Sequence, residues 1–412
     1  MNIESNSLLK NSKDFFVITI FLFVIFCFNS IKEYDNYKKL IVDDVFSTKA
    51  RVLNIYNKKQ FKILKLKSNN FIFYTRTRKD FKKNDFLEVL FISKYINFYD
   101  YIKGFFVKTL FITKKQNSKT INSFLSLKIS KQHTNKTINE FFQAIFLAIP
   151  ISMNLREYFS KVGISHLIAI SGFHLGLFCF FIYNLLFFIY KPFHSKYFNY
   201  RNIKFDLLMV CSIFLLLYLV VIDFVPSFLR AFLMFILGIF FLRNNIKVLS
   251  FNTLFFTLIL IISFNPKYLF SLSLWFSIVG VFYVYLFLYY FKYKSKIFIF
   301  IFFNIWIFLA MNPFIHYFFS ITSYAQLLSF LVTLLFTIFY PVMLFLHMIG
   351  YGGLFDEYLI RLFYFDISSY DVSVSLSFVI FYSLISLLSV YKKIFFIVLN
   401  ILIVLFFIYI YI

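Results

Sequence analysis

Long apolar runs alternate with short polar links from about residue 137 to the end of the chain. Runs of this kind are typical of helices that cross a bilayer, for which about 20 apolar residues suffice. A first apolar run, 15–28, is followed by charged sequence rather than a small-residue cleavage site, so we interpret it as a retained anchor. The later runs predict further helices at 166–190, 205–223, 228–242, 251–264, 269–291, 297–311, 325–349, 372–391 and 393–412.

A different pattern fills the region between the anchor and residue 140, where short apolar or alternating stretches are separated by turn-rich breaks. Alternation with a period of two predicts β-strands rather than helices. Five short strands in a region of this size suit a small barrel, for which the OB-fold is the natural candidate. The predicted strands are 51–56, 61–67, 71–76, 86–92 and 105–112.

Together these patterns predict a polytopic α-helical membrane protein with a small extracytoplasmic β-barrel domain, OB-like, inserted after the first transmembrane helix. The predicted domains are a tail with its anchor (1–28), a basic OB-like domain (29–136), a transmembrane core (137–350) and C-terminal transmembrane helices (351–412).

Composition supports the membrane interpretation and adds a charge asymmetry. Hydrophobic residues make up 61% of the 412 residues, which is more apolar surface than a soluble domain buries. The 42 Lys and Arg outnumber the 18 Asp and Glu, and residues 29–140 alone carry a net charge of +15. Such a balance suits an anionic partner, nucleic acid or lipid headgroups. The alternative explanation of the excess of Lys and Arg is an AT-rich genome, together with the basic cytoplasmic loops that are usual in membrane proteins.

A candidate nucleic-acid face lies on the third predicted strand and the turn after it. OB barrels often bind single strands on a basic surface that bears aromatic side chains. Both residue types occur here, in Tyr74, Arg76, Arg78 and Lys79. The alternative is that these residues are merely solvated strand ends.

Basic links between the apolar runs set the expected orientation. The link 191–204 carries four Lys or Arg, which predicts that it is cytoplasmic. Alternate counting then places the N terminus in the cytoplasm and residues 29–140 outside the inner membrane. A single crossing by residues 314–350 would put Lys392 and Lys393 outside, whereas two half-crossings or interfacial helices would avoid this.

Two histidines interrupt the first apolar run of the core. On a continuous helix His166, Ile170 and His174 share one face, and His174 lies about 12 Å along the axis from His166. An ionisable side chain at that depth usually faces a polar cavity or a protein partner, and a quiet hydrogen-bonded helix contact is the alternative. Gly172 and Gly176 form a GxxxG patch, which predicts the close approach of a second helix.

A second polar position lies one turn inside the run that begins near Pro226, which we expect to start a helix. Arg230 follows there among apolar residues. Its guanidinium either snorkels to nearby headgroups or faces a lumen, where its fixed charge and planar donors suit a passing phosphate.

These segments resemble a known family, the ComEC competence proteins. The family signature HLxAISGxHxG matches His166-Leu-Ile-Ala-Ile-Ser-Gly-Phe-His-Leu-Gly176, and its PSxxRAxxM element matches the segment 226–234. A third, looser match covers 265–277. The resemblance implies an inner-membrane channel that carries transforming DNA inward as a single strand. It assigns the path to His166, Ser171, His174 and Arg230.

The resemblance also implies partners. Longer relatives end in a metallo-β-lactamase-like domain with an HxHxDH-type metal cluster, and the six histidines here form no such motif, so we expect a separate nuclease. The sequence has no GxxxxGK phosphate loop. Each phosphate moves against about 2.3 kcal/mol per 100 mV in an inside-negative cell, so we expect a cytoplasmic motor ATPase. A periplasmic DNA receptor and a second copy of the chain are further candidate partners; no cofactor, metal or catalytic role is expected.

Two other functions stay open at this point. A proton-coupled transporter of a small anionic solute would use His174 and Arg230 near the midplane, although the sequence lacks the internal repeat that is usual in transporters. An intramembrane hydrolase would pair Ser171 with a histidine, although no third orienting group is evident.

Overall fold

The computed structural model describes residues 12–57, 60–68, 70–81, 83, 85–115, 121–246 and 248–412. The first elements in chain order are α1 (Ser12–Ile41), β1 (Val45–Asn57), β2 (Lys62–Lys67), β3 (Ile72–Thr77), β4 (Phe86–Ile92), α2 (Phe98–Lys103), β5 (Phe105–Val107), β6 (Thr109–Lys115), α3 (Ile121–Ser130), α4 (Lys136–Leu147), α5 (Met153–Val162) and α6 (Ser165–Ile168).

Helices dominate the remainder of the chain. These elements are α7 (Gly172–Tyr197), α8 (Ile203–Val221), α9 (Pro226–Arg243), α10 (Phe251–Phe264), α11 (Leu272–Phe291), α12 (Lys296–Phe318), β7 (Ile321–Thr322), α13 (Ser329–Ile349), α14 (Asp356–Phe363), β8 (Tyr370–Asp371), α15 (Leu376–Leu388) and α16 (Lys393–Tyr411). Eight described helical segments are long and apolar enough to cross a membrane, which confirms the predicted polytopic helical class. They are Phe16–Ile41, Gly172–Tyr197, Ile203–Val221, Pro226–Arg243, Leu272–Phe291, Lys296–Phe318, Tyr324–Ile349 and Lys393–Tyr411.

The chain divides into two compact units, which we describe separately. The sheet unit comprises the described residues within Met1–Ser126, Phe240–Lys247 and Phe255–Trp275. The helical unit comprises those within Leu127–Ile239, Val248–Leu254 and Phe276–Ile412.

A curled six-stranded sheet forms the centre of the sheet unit, in the order β5-β3-β2-β1-β4-β6. Neighbouring strands are antiparallel except β3 and β5, which are parallel. The strand β1 is central because it pairs with β2 on one side and β4 on the other. The hydroxyls of Thr75 on β3 and Thr109 on β6 lie 2.9 Å apart, although these strands are far apart in the sheet order, so the sheet bends strongly.

Alternation explains why these segments are strands. On β3, Phe73 and Thr75 point into the core, whereas Tyr74 and Arg76 point away from it. Three predicted strands match the observed ones closely, since β4 has the predicted bounds, β2 begins one residue later and β3 is shifted by one residue. The strand β1 begins six residues before the predicted 51–56. The last predicted strand, 105–112, is divided at Lys108 into β5 and β6.

The anchor helix is longer than the apolar run predicted. The helix α1 continues to Ile41, so the domain boundary that we placed at residue 28 falls inside it. Residues 29–41 contain no Gly or Pro to end the helix. Instead, Tyr37 and Leu40 pack against the core of the sheet, and Glu33 accepts a hydrogen bond from the Tyr101 hydroxyl at 3.1 Å.

In the helical unit, α11, α12, α15 and α16 pack around a shared aromatic core. Buried polar groups in this core are hydrogen-bonded to neighbouring helices. The Tyr382 hydroxyl donates to the carbonyl of Ala310 at 2.9 Å, and Trp306 Nε1 donates to Asn400 Oδ1 at 2.8 Å. Such bonds between apolar helices fix their register where packing alone is non-directional.

A two-stranded ladder closes a long excursion in the same unit. Strand β7 pairs with β8, with Ile321 opposite Asp371 and Thr322 opposite Tyr370. Residues 323–369, which contain α13 and α14, therefore start and finish at the same place.

Candidate functional site

The helix that we expected to carry both motif histidines is broken between them. It consists of α6, an extended link, and α7, which begins at Gly172. Ser171 has extended dihedral angles, and its Oγ accepts a hydrogen bond from the Phe173 N–H at 3.3 Å, so Ser171 caps α7. His166 and His174 therefore lie on different helices, and the predicted common face is wrong.

His174 completes this cap from the third position of α7. The Ser171 backbone N–H donates to His174 Nδ1 at 3.3 Å, which is the role that Glu or Gln plays in a capping box. A neutral imidazole that accepts at Nδ1 carries its proton on Nε2. The side chain is 0% exposed, and Nε2 has no hydrogen-bond partner among the described residues.

Aromatic rings surround the imidazole of His174. The ring of Tyr340 on α13 lies 4.9 Å away, nearly perpendicular to it, and that of Phe336 lies 5.7 Å away. Neither contact supplies an acceptor in line with Nε2. A buried donor with no acceptor costs about 1–3 kcal/mol, so stability alone does not explain a histidine at this position.

The second motif packs directly against the first. Ser227 Oγ on α9 donates to the carbonyl of Ile170 at 2.5 Å. A Cβ built on Gly172 would lie 3.5 Å from the Cβ of Ala231, so the start of α7 touches the start of α9. Ile170 also shares a buried apolar cluster with Phe228. The structure thus brings together two motifs that are about 50 residues apart in the sequence.

Arg230 lies in the second turn of α9 and is 3% exposed. Its side chain is therefore enclosed by other parts of the protein in this conformation. His166 is exposed and Ser171 half-buried. Of the four residues that we assigned to the path, His174 and Arg230 are therefore enclosed in this conformation.

The two glycines of the GxxxG patch differ from each other. Gly172 contacts α9 through Ala231, as the prediction required. Around Gly176, no heavy atom of the described residues lies within 4 Å of a built Cβ, so the predicted helix contact is not formed there. The approach of α9 is confined to the first turn of α7.

In the sheet unit, Tyr74 and Arg76 lie together on the outer face of the sheet. Tyr74 is opposite Lys65 on β2, whose Nζ lies 5.7 Å from the ring centroid. The guanidinium of Arg76 lies 4.9 Å from the ring of Phe61 and 5.4 Å from that of Phe106. We call these five residues, Phe61, Lys65, Tyr74, Arg76 and Phe106, the basic aromatic face.

The other two predicted residues follow β3. Arg78 and Lys79 are exposed, and Lys79 Nζ donates to the carbonyl of Ile112 at 3.4 Å while lying 5.7 Å from the Phe111 ring. Lys79 therefore points towards β6 and not towards the basic aromatic face.

Sequence reasoning missed one polar cluster altogether. His133, His347 and Asp356 meet in the helical unit, although His133 is more than 200 residues away from the other two. The only available signal was that histidine is rare in this chain, which has six.

The eight membrane-length helices among the described residues define a polytopic helical membrane protein. Residues 150–412 match the family model of the Competence protein family. This match covers more than half of the chain, which therefore belongs to the Competence protein family. No curated protein matches the chain. No solved structure matches it either.

Proposed function

We propose that this protein carries transforming DNA across the inner membrane as a single strand during natural competence. The observation that carries the proposal is the meeting of the two motifs at the starts of α7 and α9. Helix N-termini bear partial positive charge, and Arg230 adds a full one on the second turn of α9. Such a concentration of positive charge inside an apolar bundle suits the phosphates of a polyanion.

The buried donor of His174 fits a conduit that is closed when empty. Its Nε2 lacks a partner in this conformation, and a phosphate or water in an opened path would supply one. Opening requires the contacts of His174 with Phe336 and Tyr340 to separate, so α13 is the element expected to move. The strand itself needs a pulling partner because the membrane potential opposes each phosphate by about 2.3 kcal/mol per 100 mV.

The sheet unit is proposed to be OB-like and to receive the DNA. The support for an OB-like barrel is the strand order together with the parallel pairing of β3 and β5. The strand β5 pairs with β3, and β6 pairs with β4. Because β5 and β6 are successive parts of one strand, this strand links β3 to β4. The basic aromatic face combines stacking rings with cations, which is the chemistry that holds single strands without reading their sequence.

The proposed topology has the N terminus in the cytoplasm and residues 29–140 outside the inner membrane. The ladder between β7 and β8 supports it, because residues 323–369 then return to the side on which they started. Lys392 and Lys393 consequently fall on the cytoplasmic side with the basic link 191–204, in agreement with the positive-inside rule.

Replacement of His174 or Arg230 by Ala tests the conduit. We expect membrane levels and DNA uptake into the periplasm to stay normal while transformation is lost, because only the inner-membrane step is blocked. Gly176→Ala is the matched control on α7, since its added Cβ meets no neighbour among the described residues. Loss of periplasmic uptake in the two variants would contradict an inner-membrane role.

The enclosure of His174 also favours a second candidate, a proton-coupled transporter of a small anionic solute. Carriers enclose their substrate site in an occluded state, and a 0% exposed imidazole fits such a state. In that case the His174 and Arg230 variants transform normally and instead fail to accumulate a radiolabelled small anion in membrane vesicles.

A further inference from the structure

The histidine cluster of the helical unit lies outside the two motifs. His133 lies between α3 and α4, His347 in the last turn of α13 and Asp356 at the start of α14. His133 Nδ1 is 2.9 Å and 3.0 Å from the two carboxylate oxygens of Asp356. Its Nε2 is 2.9 Å from Nε2 of His347, and His347 Nδ1 is 2.6 Å from the carbonyl oxygen of Met343.

A count of donors fixes the protonation of these rings. The carboxylate and the carbonyl only accept hydrogen bonds, so both Nδ1 atoms must carry protons. If both imidazoles were neutral, two Nε2 lone pairs would face each other at 2.9 Å, which is repulsive. The contact is attractive when a third proton lies between these atoms. The pair then carries one positive charge, which the Asp356 carboxylate balances.

We propose that His133 and His347 form a proton-binding site, in which one proton shared by their Nε2 atoms latches the end of α13 onto the link between α3 and α4. The latch, as we name this contact, is distinct from the His174 site and does not depend on the proposed function.

Aromatic side chains pack against both rings of the pair. The ring of His133 stacks on Phe142 at 4.7 Å and 9°, and that of His347 lies 4.4 Å from Phe142 and 5.0 Å from Phe146. The side chain of His133 is 0% exposed, whereas His347 is half-buried. Solvent therefore competes for the proton less than it does in water, and the hydrogen bond is correspondingly stronger.

Other charged groups near the latch face solvent or bind backbone. The side chain of Glu140 on α4 accepts a hydrogen bond from the Ser152 N–H at 3.1 Å. The remaining charged residues on α3, α4, α14 and the adjoining link are exposed: Lys128, Lys131, Lys136, Glu357 and Arg361. Asp356 is therefore the charged group that faces the histidine pair directly.

Gln132 reinforces the latch through the backbone. Its Nε2 donates to the carbonyl of His347 at 3.2 Å, and its Oε1 accepts from the Gly352 N–H at 2.8 Å. A Cβ on Gly352 would lie 2.6 Å from both Gln132 Oε1 and His347 Nε2. Glycine is required at this position, because any side chain would push the imidazole of His347 away from that of His133.

Proton linkage gives the latch a bell-shaped dependence on pH. On the alkaline side both open rings are neutral, so closing takes up one proton and the closing constant falls up to tenfold per pH unit as pH rises. On the acid side both open rings are charged, so closing releases one proton and the constant falls as pH decreases. The latch is therefore closed within a middle window and opens on both sides of it.

Hydrogen exchange of the full chain in lipid nanodiscs tests this inference. We expect peptides that cover residues 344–363, corrected for intrinsic exchange rates, to lose protection on both sides of a pH optimum. In His347→Gln the amide donates to neutral His133 and, after a flip, accepts from protonated His133, so the closed contact needs no shared proton and both losses should become much smaller. His194→Gln, at a half-buried histidine outside the latch, is the control and should keep the full bell-shaped dependence on pH.

Other results would overturn the proposal. Protection of wild-type residues 344–363 that does not vary with pH excludes a shared proton. A change of protection on addition of Zn²⁺ or EDTA at constant pH means that the two nitrogens hold a metal ion instead. Gly352→Ala should open the latch at every pH, and unchanged exchange in that variant would show that the described contact is not formed.

Discussion

His174 and the pair His133–His347 are both buried in the helical unit, yet their ring nitrogens are bonded very differently. His174 Nδ1 is hydrogen-bonded only to Ser171, three positions away, and its Nε2 lacks a partner among the described residues. In the pair, all four ring nitrogens are bonded, and the bonds to Asp356 and between the rings join segments more than 200 residues apart. A buried polar group without a partner costs stability and therefore suggests function, whereas a satisfied network adds to stability.

The largest effect on stability is expected when His133 of the pair is replaced by Phe. The change leaves the Asp356 carboxylate and the His347 imidazole without their shared partner, so we expect the free energy of unfolding to fall by about 3 kcal/mol. Unfolding by SDS in mixed micelles measures it. The same substitution at His194 is the control; this histidine is half-buried, and its Nε2 lies 2.9 Å from the carbonyl oxygen of Arg201, so the loss of one hydrogen bond should cost only about 1 kcal/mol. An equal loss at both positions would mean that the cluster contributes nothing specific.

A smaller effect is expected for Gly352→Ala, which disturbs the latch without removing any of its groups. The added methyl group overlaps Gln132 Oε1 and His347 Nε2, and overpacking of this kind costs about 1–3 kcal/mol. Gly280→Ala is a matched control, because no described heavy atom lies within 4 Å of a Cβ there. The same unfolding assay applies, and a Gly352 variant as stable as the control would contradict the tight fit around the pair.

The two sites also show what the sequence could and could not predict. The strands of the sheet unit were predicted closely because alternation and turn residues are local signals. The break before α7 was missed, since Leu167, Ile168 and Ile170 continue the apolar run across it. Its signal was present in Ser171, a good N-cap residue, but the partner residue is His174 in place of Glu or Gln.

Long-range features were beyond the sequence for a physical reason. The latch and the ladder between β7 and β8 join residues that no local periodicity connects. The sequence alone left the number of crossings in 314–350 open. The two residue pairs of the ladder between β7 and β8 show that residues 323–369 return to the place where they start. Local pattern predicted the elements, whereas their closure depends on contacts between distant segments.

The smallest effect on stability is expected for His174→Phe, and this variant sharpens the comparison most. Phenylalanine removes the cap bond to Ser171, a loss of about 1 kcal/mol, but it also removes a buried donor that has no acceptor, a gain of similar size. The new ring fits among Phe336 and Tyr340, which already enclose the imidazole edge-on. The free energy of unfolding should therefore stay within about 1 kcal/mol of the wild type.

Transformation by the same variant should nevertheless be lost, since phenylalanine offers nothing to a phosphate or a proton. Transformation frequency and SDS unfolding are measured on one set of variants, with Gly176→Ala as the control on the same helix. A stable His174→Phe protein that does not transform assigns the imidazole to transport. If this variant is instead destabilised as much as His133→Phe, the histidine of the family motif is a structural group, and the difference between the two sites disappears.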